Sequence, residues 1–126
     1  MRLKRDSLDA AFSDYIRWRD RWICRRCGSR YAPPTQGLHC AHIYTRANPS
    51  IRVDEDNALA LCHGCHSYFT GRPIVFKDWC EETLGVAHME KLKIKYYARS
   101  RKITQAEKGL MRRWFLDMIE EMKEQA

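Results

Sequence analysis

The sequence predicts a small α+β domain in which a β-hairpin and the helix after it are held together by a four-cysteine metal site. Three observations predict this fold class. Two Cys-x-x-Cys pairs lie on either side of a short apolar segment at residues 38–43. That segment has the length of a strand. Both ends of the chain carry apolar residues at helical spacing. One domain is expected over residues 1–126, with an N-terminal helix at 1–23, the metal-bound core at 24–72 and a helical extension at 73–126.

The N-terminal segment is predicted to be a helix over residues 8–22. Ser7 is expected to cap it, and Asp9 lies in the first turn, where a carboxylate complements the helix dipole. Apolar residues recur along the segment at helical spacing and should face the core. We expect this helix to deliver the chain to Cys24.

The strongest local signal is the set of paired cysteines. The pairs are Cys24, Cys27, Cys62 and Cys65. Two residues between cysteines let both thiolates reach one ion, and four thiolates at about 2.3 Å make a closed tetrahedral zinc site. The sequence shows no signal-peptide pattern and no apolar run that could span a membrane, so a cytoplasmic location is expected. Thiols stay reduced there, and six cysteines then favour metal binding over disulfides. Cys40 and Cys80 are expected to be buried, and two unrelated cysteine pairs remain the alternative.

Between the cysteine pairs the sequence predicts the hairpin. Residues 38–43 and 51–53 are expected to be its two short strands. An acidic stretch at 54–57 breaks the pattern, and the next helix should begin near Cys62 and end before Gly71.

The C-terminal third is predicted to be helical. Helices are expected at 77–84 and 86–98, and the capping box from Thr104 to Glu107 opens a third. The broad apolar face of this last helix is expected to be core or the surface of a homodimer.

The balance of charge predicts a polyanionic partner. The net charge is +7 and the pI about 9.3, which favours DNA or RNA. Arg25 and Arg26 lie at the first cysteine pair, and Arg46 and Arg52 flank the hairpin loop, where they are expected to bind phosphate. A second basic cluster covers 91–102. Solvated surface charge is the alternative for all of these residues.

A histidine, an asparagine and a second histidine occur in the order His42, Asn57 and His66, and the second histidine directly follows a Cys-x-x-Cys pair. This ordered set resembles the HNH endonucleases, whose core is a ββα-metal unit, also called a His-Me finger. Further segments resemble the phage NinG-type recombination nucleases, and together they cover most of the chain. These segments are 9–20, 41–44 and 79–92, with Arg52 and Asn57.

The resemblance implies a metal-dependent endonuclease that hydrolyses phosphodiester bonds in recombining or branched DNA, encoded by a phage and located in the cytoplasm of the bacterial host cell. It implies that His42 activates water, that Asn57 orients His42, and that His66 binds a catalytic divalent ion. This chemistry suits the residue types, because imidazole deprotonates water near neutral pH and a cation offsets charge on the phosphate. Since imidazole prefers transition metals, Mn²⁺ or Ni²⁺ should support activity at least as well as Mg²⁺.

The chain departs from the family pattern at Ala41, where many HNH enzymes have a second metal ligand. His39 or Cys40 is an alternative ligand, as are phosphate oxygens and water; otherwise His39 and His63 are expected to be structural. Two other functions stay open. One is a zinc-stabilised DNA-binding module without cleavage activity, and the other is a nuclease directed at RNA.

Overall fold

The computed structural model describes residues 5–98 and 100–126 and has an α+β architecture. Within this part of the chain are five α-helices and one two-stranded antiparallel sheet. The strands are β1 (Leu38–His42) and β2 (Ala58–Cys62), and the helices are α1 (Ser7–Arg19), α2 (His63–Thr70), α3 (Pro73–Leu84), α4 (Val86–Tyr97) and α5 (Gln105–Gln125). Residues 1–4 and Arg99, which belong to the basic stretches of the sequence, lie outside the described residues. None of the described helices combines the length and the apolar character needed to cross a lipid bilayer.

The start of α1 is fixed by two aspartates. Asp6 is the N-cap in place of the predicted Ser7: its carboxylate accepts a hydrogen bond from the Asp9 N–H at 3.0 Å. The Asp9 carboxylate in turn accepts one from the Asp6 N–H at 3.0 Å. This reciprocal pair satisfies N–H groups that have no partner inside the helix.

The end of α1 is a sharp reversal of the chain. The helix stops at Arg19, short of the predicted end at Trp22, because Arg21 and Trp22 have φ angles of 59° and 58°, which residues other than glycine seldom adopt. Asp20 attaches the reversal to the sheet, since its Oδ2 accepts a hydrogen bond from the Ala60 N–H at 2.9 Å. The turn therefore covers the outer edge of β2, and β1 has no further backbone partner in the described chain.

The two strands pair with Cys40 opposite Ala60, and α2 follows β2 directly, as predicted for the helix after Cys62. The second strand itself was predicted wrongly. Residues 51–53 form a turn, and the continuous apolar run of β2 pairs with β1 instead. All five residues of β2 are buried. A strand that is buried on both faces shows no alternation of apolar and polar residues, so it carries no strand signal of that kind.

The predicted helical C-terminal third is confirmed. Gly85, with φ of 99°, separates α3 from α4, and the capping box from Thr104 to Glu107 opens α5. α5 packs on α1 through the Phe115 ring, whose centre lies 5.4 Å from that of Phe12. The helical extension therefore supports the N-terminal helix, which lies against the sheet.

Arg52 connects the segment between the strands to the start of α1. Its Nε donates to Asp9 Oδ1 at 3.0 Å, and its Nη2 donates to Asp9 Oδ2 at 2.9 Å and to Asp6 Oδ2 at 2.7 Å. The Arg52 side chain is only 10% exposed. The sequence predicted that Arg52 binds phosphate. In the structure its guanidinium binds two carboxylates of the same chain.

Replacing Arg52 by methionine is expected to lower the free energy of unfolding by about 2 kcal/mol, because the buried carboxylate of Asp9 loses two charge-assisted hydrogen bonds and keeps those from Arg46 and the Asp6 N–H. Urea denaturation would measure the loss. Arg113→Met is the matched control, since it removes the same charge from an exposed pair with Asp117 and should change stability little. Equal losses in the two variants would contradict a structural role for Arg52.

Candidate metal centre and basic cavity

Four cysteine sulfurs lie together, as the two Cys-x-x-Cys pairs predict. The Sγ atoms of Cys24, Cys27, Cys62 and Cys65 all lie within 4.8 Å of one another. The Sγ atoms of Cys27 and Cys62 are 3.8 Å apart. Thiolates at about 2.3 Å from an ion in a tetrahedron are about 3.8 Å from each other. The donor set and its spacing therefore fit a metal ion such as zinc.

Local backbone geometry places both cysteine pairs. In the first pair, the Cys24 N–H donates to the Ser29 carbonyl and the Gly28 N–H donates to the Cys24 carbonyl, each at 2.9 Å. Gly28 is required there, because its φ is 77°. In the second pair, Cys62 is the N-cap of α2, and its Sγ accepts a hydrogen bond from the Cys65 N–H at 3.4 Å. The site thus joins the turn after α1 to the start of α2.

Polar groups around the sulfurs favour thiolates. The Ser29 hydroxyl lies 3.0 Å from Cys27 Sγ, and this hydrogen bond lowers the pKa of Cys27 to about 6. Burial raises the pKa of Cys65, and Nη1 of Arg26, which donates to its sulfur at 3.6 Å, acts in the opposite direction. The Arg26 guanidinium also lies over the Tyr68 ring, 4.3 Å from its centre. Arg26 therefore contacts the thiol cluster from the protein surface.

Two imidazoles meet between β1 and α2. Nδ1 of His39 and Nδ1 of His66 are 3.0 Å apart, and the ring centre of His63 lies 5.4 Å from that of His39. Burial lowers the pKa of both His39 and His66, so both rings are neutral near pH 7. Two nitrogens bound to one ion at about 2.0–2.1 Å are about 2.9 Å apart at a right angle and about 3.3 Å apart at the tetrahedral angle. The pair therefore fits a shared metal ion, as well as a direct hydrogen bond.

A cavity of about 490 Å³ lies beside the two imidazoles. Its lining residues are Arg5, Arg17, Gln36, Leu38, His39, Cys40 and His66. Among the described residues this lining contains two guanidinium groups and no carboxylate. The cavity extends from α1 past β1 to α2, and its positive charge favours an anion.

Asn57 holds the segment between the strands from inside the protein. The side chain is fully buried: its Oδ1 accepts from the Tyr44 N–H at 2.8 Å, and its Nδ2 donates to the carbonyls of Tyr44 at 2.9 Å and Ile51 at 3.3 Å. The Asn57 carbonyl also accepts from the Ile43 N–H at 2.9 Å. These bonds fix the backbone directly after His42.

His42 lies at the end of β1 and faces α1. Its ring centre is 5.7 Å from that of Phe12, and its Nε2 is buried without a hydrogen-bond partner in the described chain. Burial lowers the pKa of His42 to about 4. The structure does not bring His42 and His66 together; His66 contacts His39 instead. Side chains alternate across a strand, so His39 and His42 point to opposite faces of β1.

The predicted phosphate-binding arginines have partners within the chain. Arg25 Nη1 donates to Asp20 Oδ1 at 3.2 Å, and Arg46 Nη1 donates to Asp9 Oδ2 at 3.1 Å. Asp9 is also a partner of Arg52. These guanidinium groups hold the turn after α1 and the segment between the strands. The cations that line the cavity are Arg5 and Arg17 instead.

Two residues of the cavity carry weak signals in the sequence. The sequence indicates His39 only as an alternative ligand, although strand alternation places it on the same face as Ala41, where many HNH enzymes have a metal ligand. Arg17 has no local signal, because its place beside His39 depends on how α1 packs against the sheet.

Replacing Cys62 by serine is expected to remove about one zinc ion per chain and most of the folded structure, because metal binding and folding are coupled. Atomic absorption and far-ultraviolet circular dichroism would measure the two effects. Cys80→Ala is the control, since Cys80 is buried outside the cluster and its loss should leave the zinc content unchanged. A folded Cys62→Ser protein without zinc would show that the ion is not needed for the fold.

Comparison with known proteins gives no relative of this chain. No family model matches the sequence, and neither a curated protein nor a solved structure matches it. The functional proposal therefore rests on the residues, on their geometry and on the sequence resemblance described above.

Proposed function

We propose that the chain is a metal-dependent endonuclease that hydrolyses phosphodiester bonds of DNA and uses the ββα-metal core of HNH enzymes. One observation carries the proposal. The Nδ1 atoms of His39 and His66 lie 3.0 Å apart at a cavity whose charged lining residues are both arginines. Such a site suits a divalent ion and a phosphate group together. The order of elements supports the proposal too, because α2 directly follows the β1–β2 pair.

His66 and His39 would hold the catalytic ion, with His39 acting as the ligand that Ala41 does not provide. When bound, Mn²⁺, Ni²⁺ or Mg²⁺ would supply positive charge to the phosphate oxygens and to the leaving oxygen. Imidazole nitrogens favour the first two ions over Mg²⁺. The four-cysteine cluster would hold a structural zinc ion, because a complete set of thiolates leaves no position for substrate.

In the proposed reaction, the oxygen of a water molecule forms a bond to phosphorus, the bond from phosphorus to the leaving 3′ oxygen breaks, that oxygen takes a proton from solvent, and the water proton passes to a general base. The resemblance implies His42 as this base; because its ring lies against α1, on the opposite face of β1 from His39, it could act only after the end of the strand rearranges. A base must be neutral before it takes a proton. Burial lowers the pKa of His42 to about 4 in its present position, and exposure to water would raise the pKa toward the ordinary value of an imidazole. Its Nε2 must move out of contact with α1 to reach water. Asn57 is a positioning residue that holds the backbone of this segment during that movement.

We propose recombining or branched DNA as the substrate, a phage as the origin, and the cytoplasm of the bacterial host cell as the location. These parts depend on the resemblance to the NinG-type nucleases. A homodimer would place two sites on two strands, and the exposed Leu110 and Trp114 of α5 support such an interface.

A DNA-binding module without cleavage is the second candidate function, and the burial of His42 Nε2 favours it. In that case the basic cavity would bind a phosphate group, and no imidazole would activate water. An RNA-directed nuclease would use the same residues, so only a comparison of substrates separates it from the first proposal.

Nicking of supercoiled plasmid in Mn²⁺ tests the function. The wild-type protein should nick, and His66→Ala, His39→Ala and His42→Ala should each lose about a hundredfold or more of the rate, the size expected for loss of charge stabilisation or of a general base. His88→Ala is the control, because His88 lies on α4 and its Nε2 bonds to the Asp56 carbonyl at 2.7 Å.

Each result selects one function. Equal nicking by all variants would assign the activity to a contaminant. DNA binding without nicking by the wild-type protein would favour the binding module, and digestion of single-stranded RNA without DNA would favour the RNA nuclease. Loss of activity in His39→Ala with retention in His42→Ala would remove His42 as the base.

A further inference from the structure

Arg17 is a largely buried cation with few contacts within the described part of the chain, one of which is the Trp22 ring, whose centre lies 5.7 Å from the Arg17 Cζ. Its side chain is 18% exposed, and its Nε is buried without a partner among the described residues. Its ion pair with Asp14 is long, with 3.9 Å between Nε and Oδ1, and the Asp14 side chain is 41% exposed. Burying a guanidinium is costly unless it is paired and hydrogen-bonded. Arg17 differs in this respect from Arg52, whose nitrogens contact two carboxylates.

The surroundings of Arg17 indicate what would complete its contacts. The side chain lines the cavity together with Arg5, His39 and His66, and no carboxylate of residues 5–98 and 100–126 lines it. Burial is the main cause that lowers the pKa of His39, and the positive charge of Arg17 acts in the same direction, so the two groups are close enough to interact. Arg5 likewise acts on Arg17 as a like charge. An anion in the cavity would relieve this repulsion and supply the missing acceptors.

We propose that Arg17 binds a non-bridging oxygen of the DNA phosphodiester at which His39 and His66 act. This assignment rests on the proposed function. A guanidinium stays charged at any physiological pH and offers parallel N–H donors that match two phosphate oxygens. Its charge would stabilise the additional negative charge of the transition state more than that of the bound substrate. The net charge of +7 favours a polyanion over a small free anion as the source of the phosphate.

The test compares Arg17→Lys and Arg17→Ala with the wild-type protein and with Arg113→Ala, which removes the same charge from an exposed position on α5. Single-turnover cleavage of duplex DNA in Mn²⁺ should slow by about 10²–10³-fold in Arg17→Ala, as for loss of one donor to the reacting group. Arg17→Lys should lose less, because it keeps the charge. Arg113→Ala should cleave at the wild-type rate.

Chemical rescue separates a phosphate contact from a structural role. Methylguanidinium should restore part of the activity of Arg17→Ala, whereas tetramethylammonium at the same ionic strength should not. Zinc content and thermal melting would show whether Arg17→Ala folds. If it does not, the cleavage rate of Arg17→Lys and the salt dependence of its DNA affinity test the proposal instead. Lack of rescue in a folded Arg17→Ala protein, or wild-type rates in that protein, would overturn the proposal.

A binding measurement keeps this proposal distinct from the proposed function. DNA affinity in Ca²⁺ needs no cleavage, and removing one phosphate contact should reduce the slope of log affinity against log salt by about one relative to Arg113→Ala. If the wild-type protein binds without cutting and Arg17→Ala shows the reduced slope, the nuclease fails and the phosphate site stands. An unchanged slope would overturn the site. Competition by inorganic phosphate at the affinity of DNA would assign the cavity to a free anion and also overturn it.

Discussion

The packing of four sulfur atoms into one cluster is the constraint on which most of the structure depends. The cluster connects the turn after α1 with the junction of β2 and α2, two parts of the chain that are distant in sequence. His66 follows Cys65 directly, so the position of its ring is tied to the same junction. A chain of 126 residues has a limited core, and a metal ion bound there would add folding free energy where that core is thin.

Several arginines are paired with carboxylates of the same chain, so the basic composition alone does not locate a binding site. The carboxylates of Asp6, Asp9 and Asp20 each contact one or more arginines, and these contacts fix the two ends of α1 against the rest of the fold. Much of the positive charge is therefore used in holding the structure. The cavity differs in that its lining, in the part of the chain that the structure describes, has arginines and no such carboxylate, so its local charge is positive.

Signals that are local in sequence predicted most of the fold. The cysteine pairs, with two residues between their members, and the capping box from Thr104 to Glu107 act over one turn of chain, and both have the predicted geometry. β2 was missed because its residues are buried on both faces and show no alternation. The ends of α1 were displaced because Asp6 competes successfully as N-cap and two residues adopt the left-handed conformation.

The candidate site could be predicted only in part, for reasons of register and packing. Asn57 was predicted to orient His42, and in the structure its amide bonds to the backbone of Tyr44, two residues after that histidine. The contact between His39 and His66 depends on which face of β1 meets α2, and a shift of one residue reverses that choice. Such a choice is made by the packing of the whole sheet, as is the approach of Arg17 to the cavity.

The sulfur of Cys62 belongs to the cysteine cluster and is also the N-cap of α2, the helix that carries His66. Oxidation of this one atom to a sulfinic acid would replace a metal ligand and the capping sulfur by a larger, oxygen-bearing group in a single chemical event. Oxidation by peroxide would then not lower the stability of the protein gradually. A bound ion would be released and the start of α2, which carries His66, would be disturbed in the same event, so an oxidised population should consist of intact and metal-free molecules.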